Sequence, residues 1–328
     1  MPTDDPKVLI DTQKALTREF PRTEEGLATL LHAQLYFGYI PLYIYYMKLG
    51  MSSMLPDPKP LFKPDYPKGI EFELVDAMVK CGVNRCAHGT ADVATNTYHA
   101  KVVRLEEAEQ FFTLTEDLNL GELPKTIMPY EHAKTAIIKN PDRIAIIDCI
   151  CRKLHGDQGC GPLDVCFVIG EPWVSWVMAR DNRMNARLVT QDEALKILRE
   201  THERGNVHAV FFKDVAANRI YSICNCCPCC CTALQAQNHI GAPMMARSGY
   251  TAVINKEKCV KCGLCEKHCN FIAISKGEDG FPLVDADLCM GCEGCLQFCK
   301  KDAITLELTD PESPFNIKEL KVKLAPQV

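Results

Sequence analysis

Eight cysteines near the C-terminus constrain this chain more than anything else in it. They run Cys259-x2-Cys262-x2-Cys265-x3-Cys269 and then, 30 residues on, Cys289-x2-Cys292-x2-Cys295-x3-Cys299. Spacing of this kind, used twice, is the ligand pattern for two [4Fe–4S] clusters. Zinc is the competing occupant, but it usually takes paired Cys-x2–4-Cys knuckles. Thiolate-bound cubanes move electrons singly, so redox chemistry is expected before any fold is. Residues 251–308 alone bury little apolar surface. The clusters are therefore expected to staple this unit, with cluster binding coupled to its folding.

The repeat extends beyond cysteine. Ile254-Asn255 ahead of the first run matches Val284-Asp285 ahead of the second, and Ala273-Ile274 after the first matches Ala303-Ile304 after the second. The stretch resembles the bacterial-type dicluster ferredoxins. That resemblance implies a crossed ligand scheme, in which Cys259, Cys262, Cys265 and Cys299 hold one cluster and Cys289, Cys292, Cys295 and Cys269 hold the other. Asn270 and Lys300 stand where the family has proline after the fourth cysteine. Each restores a backbone donor near a sulfur, and Lys300 and Lys301 add positive charge, so a raised cluster potential is expected.

The chain has 328 residues and 20 cysteines. With no basic, apolar leader after Met1, metal binding in a reducing cytoplasm is favoured over a disulfide framework, and an anaerobic source is expected. A net charge of −5, from 37 basic and 42 acidic side chains, argues against nucleic acid as a partner. The longest apolar stretch, Leu35 to Leu49, is broken by Gly38 and Pro41 and is short for a bilayer span. Membrane association is expected only through a partner.

Ten further cysteines form two groups: Cys149, Cys151, Cys160 and Cys166, then Cys224, Cys226, Cys227, Cys229, Cys230 and Cys231. Neighbouring disulfides are sterically poor. Strands at 144–148 and 219–224 would each deliver cysteines at their C-terminal ends, with residues i and i+2 on one face. If those strands are neighbours, both groups converge. Ten thiolates support one or two further [4Fe–4S] clusters, with zinc as the alternative. Arg152 could offset cluster charge. Cys81 and Cys86, with His88 nearby, are weaker candidates. This Cys-x-Cys-Arg stretch, with the Cys-Cys-x-Cys-Cys-type stretch and the C-terminal double run, resembles a group of ferredoxin-like iron–sulfur proteins of anaerobic bacteria, over roughly residues 125–308.

The expected fold class is α+β. It comprises a mostly helical region over 1–120, a small α/β Cys-rich domain over 121–250, the ferredoxin unit over 251–308 and a peripheral tail over 309–328. Residues 12–50 read as helical, and their tyrosines (Tyr36, Tyr39, Tyr43, Tyr45 and Tyr46) as packed aromatic core. Residues 97–103 read as a strand, 105–118 as a helix and 129–139 as another helix. Thr190-x2-Glu193 reads as a capping box. The prolines between Pro56 and Pro67 make a stiff connector.

No Gly-x-Gly-x2-Gly unit, Walker A sequence or Cys-x3-Cys-x2-Cys occurs. The leading expectation is therefore an electron-transfer subunit, not a stand-alone enzyme. Its expected partner is a flavoprotein, a molybdenum or tungsten protein, or another oxidoreductase subunit, in a hetero-oligomer. The alternative is a reductase with a catalytic cluster within Cys149–Cys231 and proton donors among His155, Asp157, His202, His208 and His239. A redox-sensing regulator is the third reading.

Overall fold

The structure is a computed structural model. It describes residues 22–66, 72–80, 96–179 and 182–324, with scattered positions between 11 and 20. Cys81, Cys86 and His88 lie outside the described residues.

After scattered helical positions between 11 and 17 come two helices, α1 (Glu24–Gly38) and α2 (Ile40–Met51). The break falls at Tyr39, because Pro41 sits in the first turn of α2, where a missing N–H costs nothing. Tyr36, Tyr43 and Tyr46 are buried, as expected of aromatic core. Residues 55–66 then run without regular structure, as the prolines require.

An eight-stranded sheet forms the centre. It is built from β1 (Tyr98–Val103), β2 (Leu118–Glu122), β3 (Thr135–Asp148), β4 (Asp164–Glu171), β5 (Arg187–Val189), β6 (Val207–Lys213), β7 (Arg219–Cys226) and β8 (Met245–Ala246). Its order is β2-β3-β4-β7-β6-β1-β8, with β5 on β3. The pairings are antiparallel except for β1–β8 and a single parallel contact, Thr135 with Arg219, that curls β3 back towards β7. The whole is α+β. The Cys-rich middle is thus an antiparallel sheet, not the α/β layout expected for it. β1 and β2 belong to the same sheet, which therefore begins at Tyr98.

One expectation fails outright. Residues 135–148 are a strand, where a helix through Lys139 was expected. Ala136 and Ile138 are buried two apart, the period of a strand, and Asn140 takes φ +48°. The register shifts between Lys139 and Ile144, so Pro141 falls at a bulge, where a strand tolerates it.

Both faces of the sheet are covered. Along β6, Val207, Ala209 and Phe211 enter one core and Val210 and Phe212 the other. The first core takes residues of α1, α2 and α5 (Trp173–Ala179), together with many of the middle cysteines. The second takes residues of α3 (Leu105–Phe111), α6 (Gln191–Glu203) and α9 (Ile317–Lys323). Thr190 Oγ1 caps α6 by accepting from the Glu193 N–H at 3.1 Å. The tail is less peripheral than expected: Phe315 is fully buried and meets Phe111 edge-to-face at 5.4 Å.

The ferredoxin unit pairs β9 (Tyr250–Ile254) with β12 (Ile304–Leu308), and β10 (Ile274–Lys276) with β11 (Pro282–Val284). Several hydrogen bonds recur in its two halves. Asn255 N–H donates to Ala303 O, and Asp285 N–H to Ala273 O, each at 2.8 Å. The Asn255 and Asp285 side chains each accept from the backbone two and three residues on. Positive φ recurs at matched positions: Lys261 and Gly291, Gly263 and Glu293, Ile272 and Asp302. No helix among the described residues is long and apolar enough to cross a membrane.

Candidate metal centres

In the ferredoxin unit, Cys259, Cys262, Cys265 and Cys299 line one cavity of about 190 Å³ together with Lys261, Lys300 and Lys301. Three of these thiols come from a single loop and the fourth from the far end of the second run. Cys262 is exposed, so this cavity lies at the surface. The other set is deeper. Cys289 and Cys295 are buried, and burial first, then charges on Cys292, Cys269, Cys289 and Cys265, push the Cys295 thiol up. Burial pushes the Cys292 thiol up to about 12. The set thus favours the thiol until a cation replaces its protons. Both groups have the chemistry that suits a thiolate-bound cluster: soft sulfur donors held on short loops.

Backbone N–H groups already face these sulfurs. Ala273 N–H reaches Cys269 Sγ at 3.2 Å and Ala303 N–H reaches Cys299 Sγ at 3.3 Å. Asn270 contributes through its side chain, where a backbone donor was expected. Asn270 Nδ2 bonds Gly205 O at 2.8 Å and lies 3.8 Å from Cys292 Sγ. A donor at sulfur favours the more negative, reduced state. Asn270→Leu should therefore lower the midpoint potential of the cluster at Cys292, by on the order of tens of millivolts. Redox titration followed by EPR reads this directly, and an unchanged or raised midpoint refutes it.

The middle cysteines meet at one end of the sheet, but not by the route expected. β3 and β7 are not neighbours there, because β4 lies between them and adds Cys166. Cys166 faces Cys224 across the β4–β7 pair and Ile147 across β3–β4. The ten thiols sort into two sets. Six influence one another's protonation in a closed ring: Cys149 with Cys166, Cys166 with Cys224, Cys224 with Cys226, Cys226 with Cys231, Cys231 with Cys151 and Cys151 with Cys149. The other four, Cys160, Cys227, Cys229 and Cys230, contact one another in a tight knot. The sets are adjacent. The dipeptides Cys226-Cys227 and Cys230-Cys231 each give one thiol to either side.

Fixed cations surround them. Arg152 is buried; burial opposes its charge, but Cys227, Cys149, Cys160 and Cys166 outweigh that and hold its pKa up. It donates to the carbonyl of Pro162 and, at 3.1 Å, to that of Asn225. Lys48 Nζ, also buried, donates to Cys230 O at 2.6 Å and Gln235 Oε1 at 3.0 Å. Cys229 is drawn down to about 7 by hydrogen bonds first from Cys160 and then from Cys227. Cys227 is pushed up by its bonds to Cys160 and Cys229. Such a set shares a few protons among many sulfurs, the state a metal displaces.

Phenols not singled out as site residues stand beside the ring. Tyr36 and Tyr221 hydroxyls are 3.0 Å apart, and burial raises both, as it does Tyr98. No sequence signal marked Tyr98 and Tyr221.

Among the candidate proton donors, His155 is buried, with Nδ1 2.9 Å from Pro60 O, and burial lowers its pKa. Asp157 and His239 are exposed. His202 and His208 join a chain from one centre to the other. Gln297, between Cys295 and Cys299, lies 2.8 Å from His202 Nε2; His202 Nδ1 lies 3.2 Å from His208 Nε2; His208 Nδ1 lies 2.6 Å from Asn225 Oδ1, between Cys224 and Cys226. Burial drops His208 to about 4, with the Asn225 hydrogen bond pulling up and His202 pushing further down. A histidine with a depressed folded pKa binds its proton more readily when unfolded. Its share of stability is whole above the unfolded value of about 6.5 and drains away as pH falls towards about 4. Between pH 7.5 and 5.5 this amounts to about 1.4 kcal/mol. Denaturant midpoints across that interval should show the slope, and His208→Gln should flatten it.

No family model matches the chain, and no solved structure matches it. Short stretches are similar to curated proteins. One is 39% identical over 56 residues to the pyruvate synthase subunit PorD of Methanocaldococcus jannaschii, covering 17% of this chain and 65% of that protein. Another is 44% identical over 57 residues to the ketoisovalerate oxidoreductase subunit VorD of Pyrococcus furiosus, covering 17% and 54%. A third is 45% identical over 48 residues to a component of the Na(+)-translocating ferredoxin:NAD(+) oxidoreductase complex of Acetobacterium woodii, covering 15% and 14%. The chain thus spans less than two thirds of each of these relatives. The similarity is consistent with a [4Fe–4S] ferredoxin-type domain.

Proposed function

We propose that this chain is a multi-cluster iron–sulfur protein that relays single electrons as a subunit of a larger oxidoreductase. The observation that carries this reading is a gradient of burial across the thiol sets. Cys262 is exposed, and Cys259 and Cys299 are half-buried around one cavity with the buried Cys265; Cys289 and Cys295 are buried; and Cys292 packs against the core that holds Cys226 and Cys231. Two [4Fe–4S] clusters bound by the crossed sets, and a further one in the ring, would supply one-electron reservoirs in a row. The protein's part is to space them, exclude water from the inner ones and aim N–H groups at their sulfurs. Lys261, Lys300 and Lys301 frame the outer cavity and suit an acidic redox partner, such as a flavoprotein or a molybdenum or tungsten protein. The names of the relatives, all parts of oxidoreductases, support this reading.

Iron and acid-labile sulfide counting on anaerobically purified protein is the test. More than eight irons per chain is expected. Fewer than eight, with residues 251–308 folded around zinc or disulfides, sinks the proposal.

A second reading draws on the ring. Six thiols exceed the four that a cubane takes, and the phenols of Tyr36, Tyr98 and Tyr221 lie beside them. A reductase with its catalytic cluster at Cys149–Cys231 would use that surplus and those protons. A ring EPR signal that responds to a disulfide, thioester or enoyl compound would select this reading over a pure relay.

A further inference from the structure

Four middle cysteines differ from every other thiol set in how tightly they close. The Sγ atoms of Cys160, Cys227, Cys229 and Cys230 all lie within 4.8 Å of one another. Cys160 Sγ is 3.2 Å from Cys227 Sγ and 3.6 Å from Cys230 Sγ, and Cys229 Sγ is 3.6 Å from Cys230 Sγ. A single tetrahedral zinc ion with Zn–S bonds of about 2.3 Å places its sulfurs about 3.8 Å apart. A [4Fe–4S] cube must hold its thiolates further apart, because four irons stand between them.

The same molecule supplies the scale. Among the described residues, no other group of three or more ligating side chains closes to 4.8 Å. The two ferredoxin sets are therefore wider, although one of them lines a single cavity. The six-thiol ring is wider too: no three of its sulfurs close to 4.8 Å.

We propose that Cys160, Cys227, Cys229 and Cys230 form a closed tetrathiolate site for one zinc ion, and not the seat of a fourth cubane. Four thiolates and a divalent ion leave about two negative charges. Arg152, which is buried, and the half-buried Lys59, whose Nζ is 3.7 Å from Cys230 Sγ, supply two positive ones. The ion ties the loop after α4 (Ile150–Lys153) to the turn after β7. It thereby fixes Cys226 and Cys231, the sequence neighbours of two of its ligands, at the ring. Zinc has no redox chemistry, so the site organises the neighbouring cluster and carries no electron itself. The inference is independent of the relay reading.

Zinc analysis and zinc K-edge absorption on the anaerobically purified full chain test it. The expected result is one zinc per chain with four sulfur neighbours at about 2.3 Å. Cys229→Ser, at the most exposed ligand, should cut bound zinc at least tenfold. Its ferredoxin EPR signals and iron content should stay as in the parent. Less than about a tenth of an equivalent of zinc in the parent, or zinc with a nitrogen and oxygen shell, overturns the proposal. So does a Cys229→Ser protein that loses about four irons. If that variant fails to fold, the absorption spectrum of the parent decides alone.

Discussion

Cys299→Ala should damage the same cluster as Cys262→Ala, although the two residues belong to different cysteine runs. Each variant should lose between about one and about four irons. Each should leave untouched the EPR signal that Cys292→Ala and Cys269→Ala destroy. The reasoning is geometric. Cys299 lines the cavity of Cys259, Cys262 and Cys265, while Cys269 bears on Cys292 and Cys295. Each three-cysteine loop covers one side of its site, and the fourth thiol must come from outside it. Stability should fall with the iron, because a unit this small relies on its clusters as cross-links. If Cys299→Ala instead destroys the signal shared by Cys289, Cys292 and Cys295, the crossed assignment is wrong.

The ferredoxin unit was legible because everything that defines it is local. Ligand spacing, the Asn255 and Asp285 turns and the Ala-Ile pairs all recur at one offset, and the structure repeats the bonds between them. The middle was legible only in pieces. Strands ending near Cys149 and Cys224 were readable from apolar runs, but their order in the sheet was not, since β4 enters between them through long-range pairing. Val165, Phe167, Val168 and Ile169 already formed a strand-like run that the glycine-rich loop before it obscured. Residues 129–139 misled for a different reason: a short apolar run such as Ala136-Ile137-Ile138 suits either period, and burial settled it as a strand.

The division of the ten thiols into four and six had a readable signal. Adjacent residues of an extended chain point to opposite sides. Cys226-Cys227, at the end of β7, therefore could not both serve one small centre, whereas Cys230 lies in the turn that follows, where this rule has no hold. The hydrogen-bonded link through Gln297, His202, His208 and Asn225 had none, because its members are scattered over four segments and only the docked fold aligns them.

That docking has a weak point at Gly205. Its φ of +74° is left-handed, a conformation that costs a residue with a side chain roughly 1–2 kcal/mol. A Cβ there would fall 2.5 Å from Phe298 Cε2, and the Gly205 carbonyl already accepts the Asn270 side chain. Phe298 has little room to yield, since its ring stacks on His268 at 3.8 Å. Gly205→Ala should therefore cost about 2–4 kcal/mol, strain and overpacking together. Gly121→Ala is the matched control: its φ is +66°, with nothing within 4 Å of the added carbon, so only the strain remains. Calorimetry should show a larger loss at Gly205 than at Gly121. With clusters at the outer cavity and in the ring, as proposed, flash reduction of the outer one should show slower electron passage to the ring in Gly205→Ala, with the cluster spectra themselves unchanged. Equal melting temperatures for the two variants would mean that this contact does not hold the ferredoxin unit to the sheet.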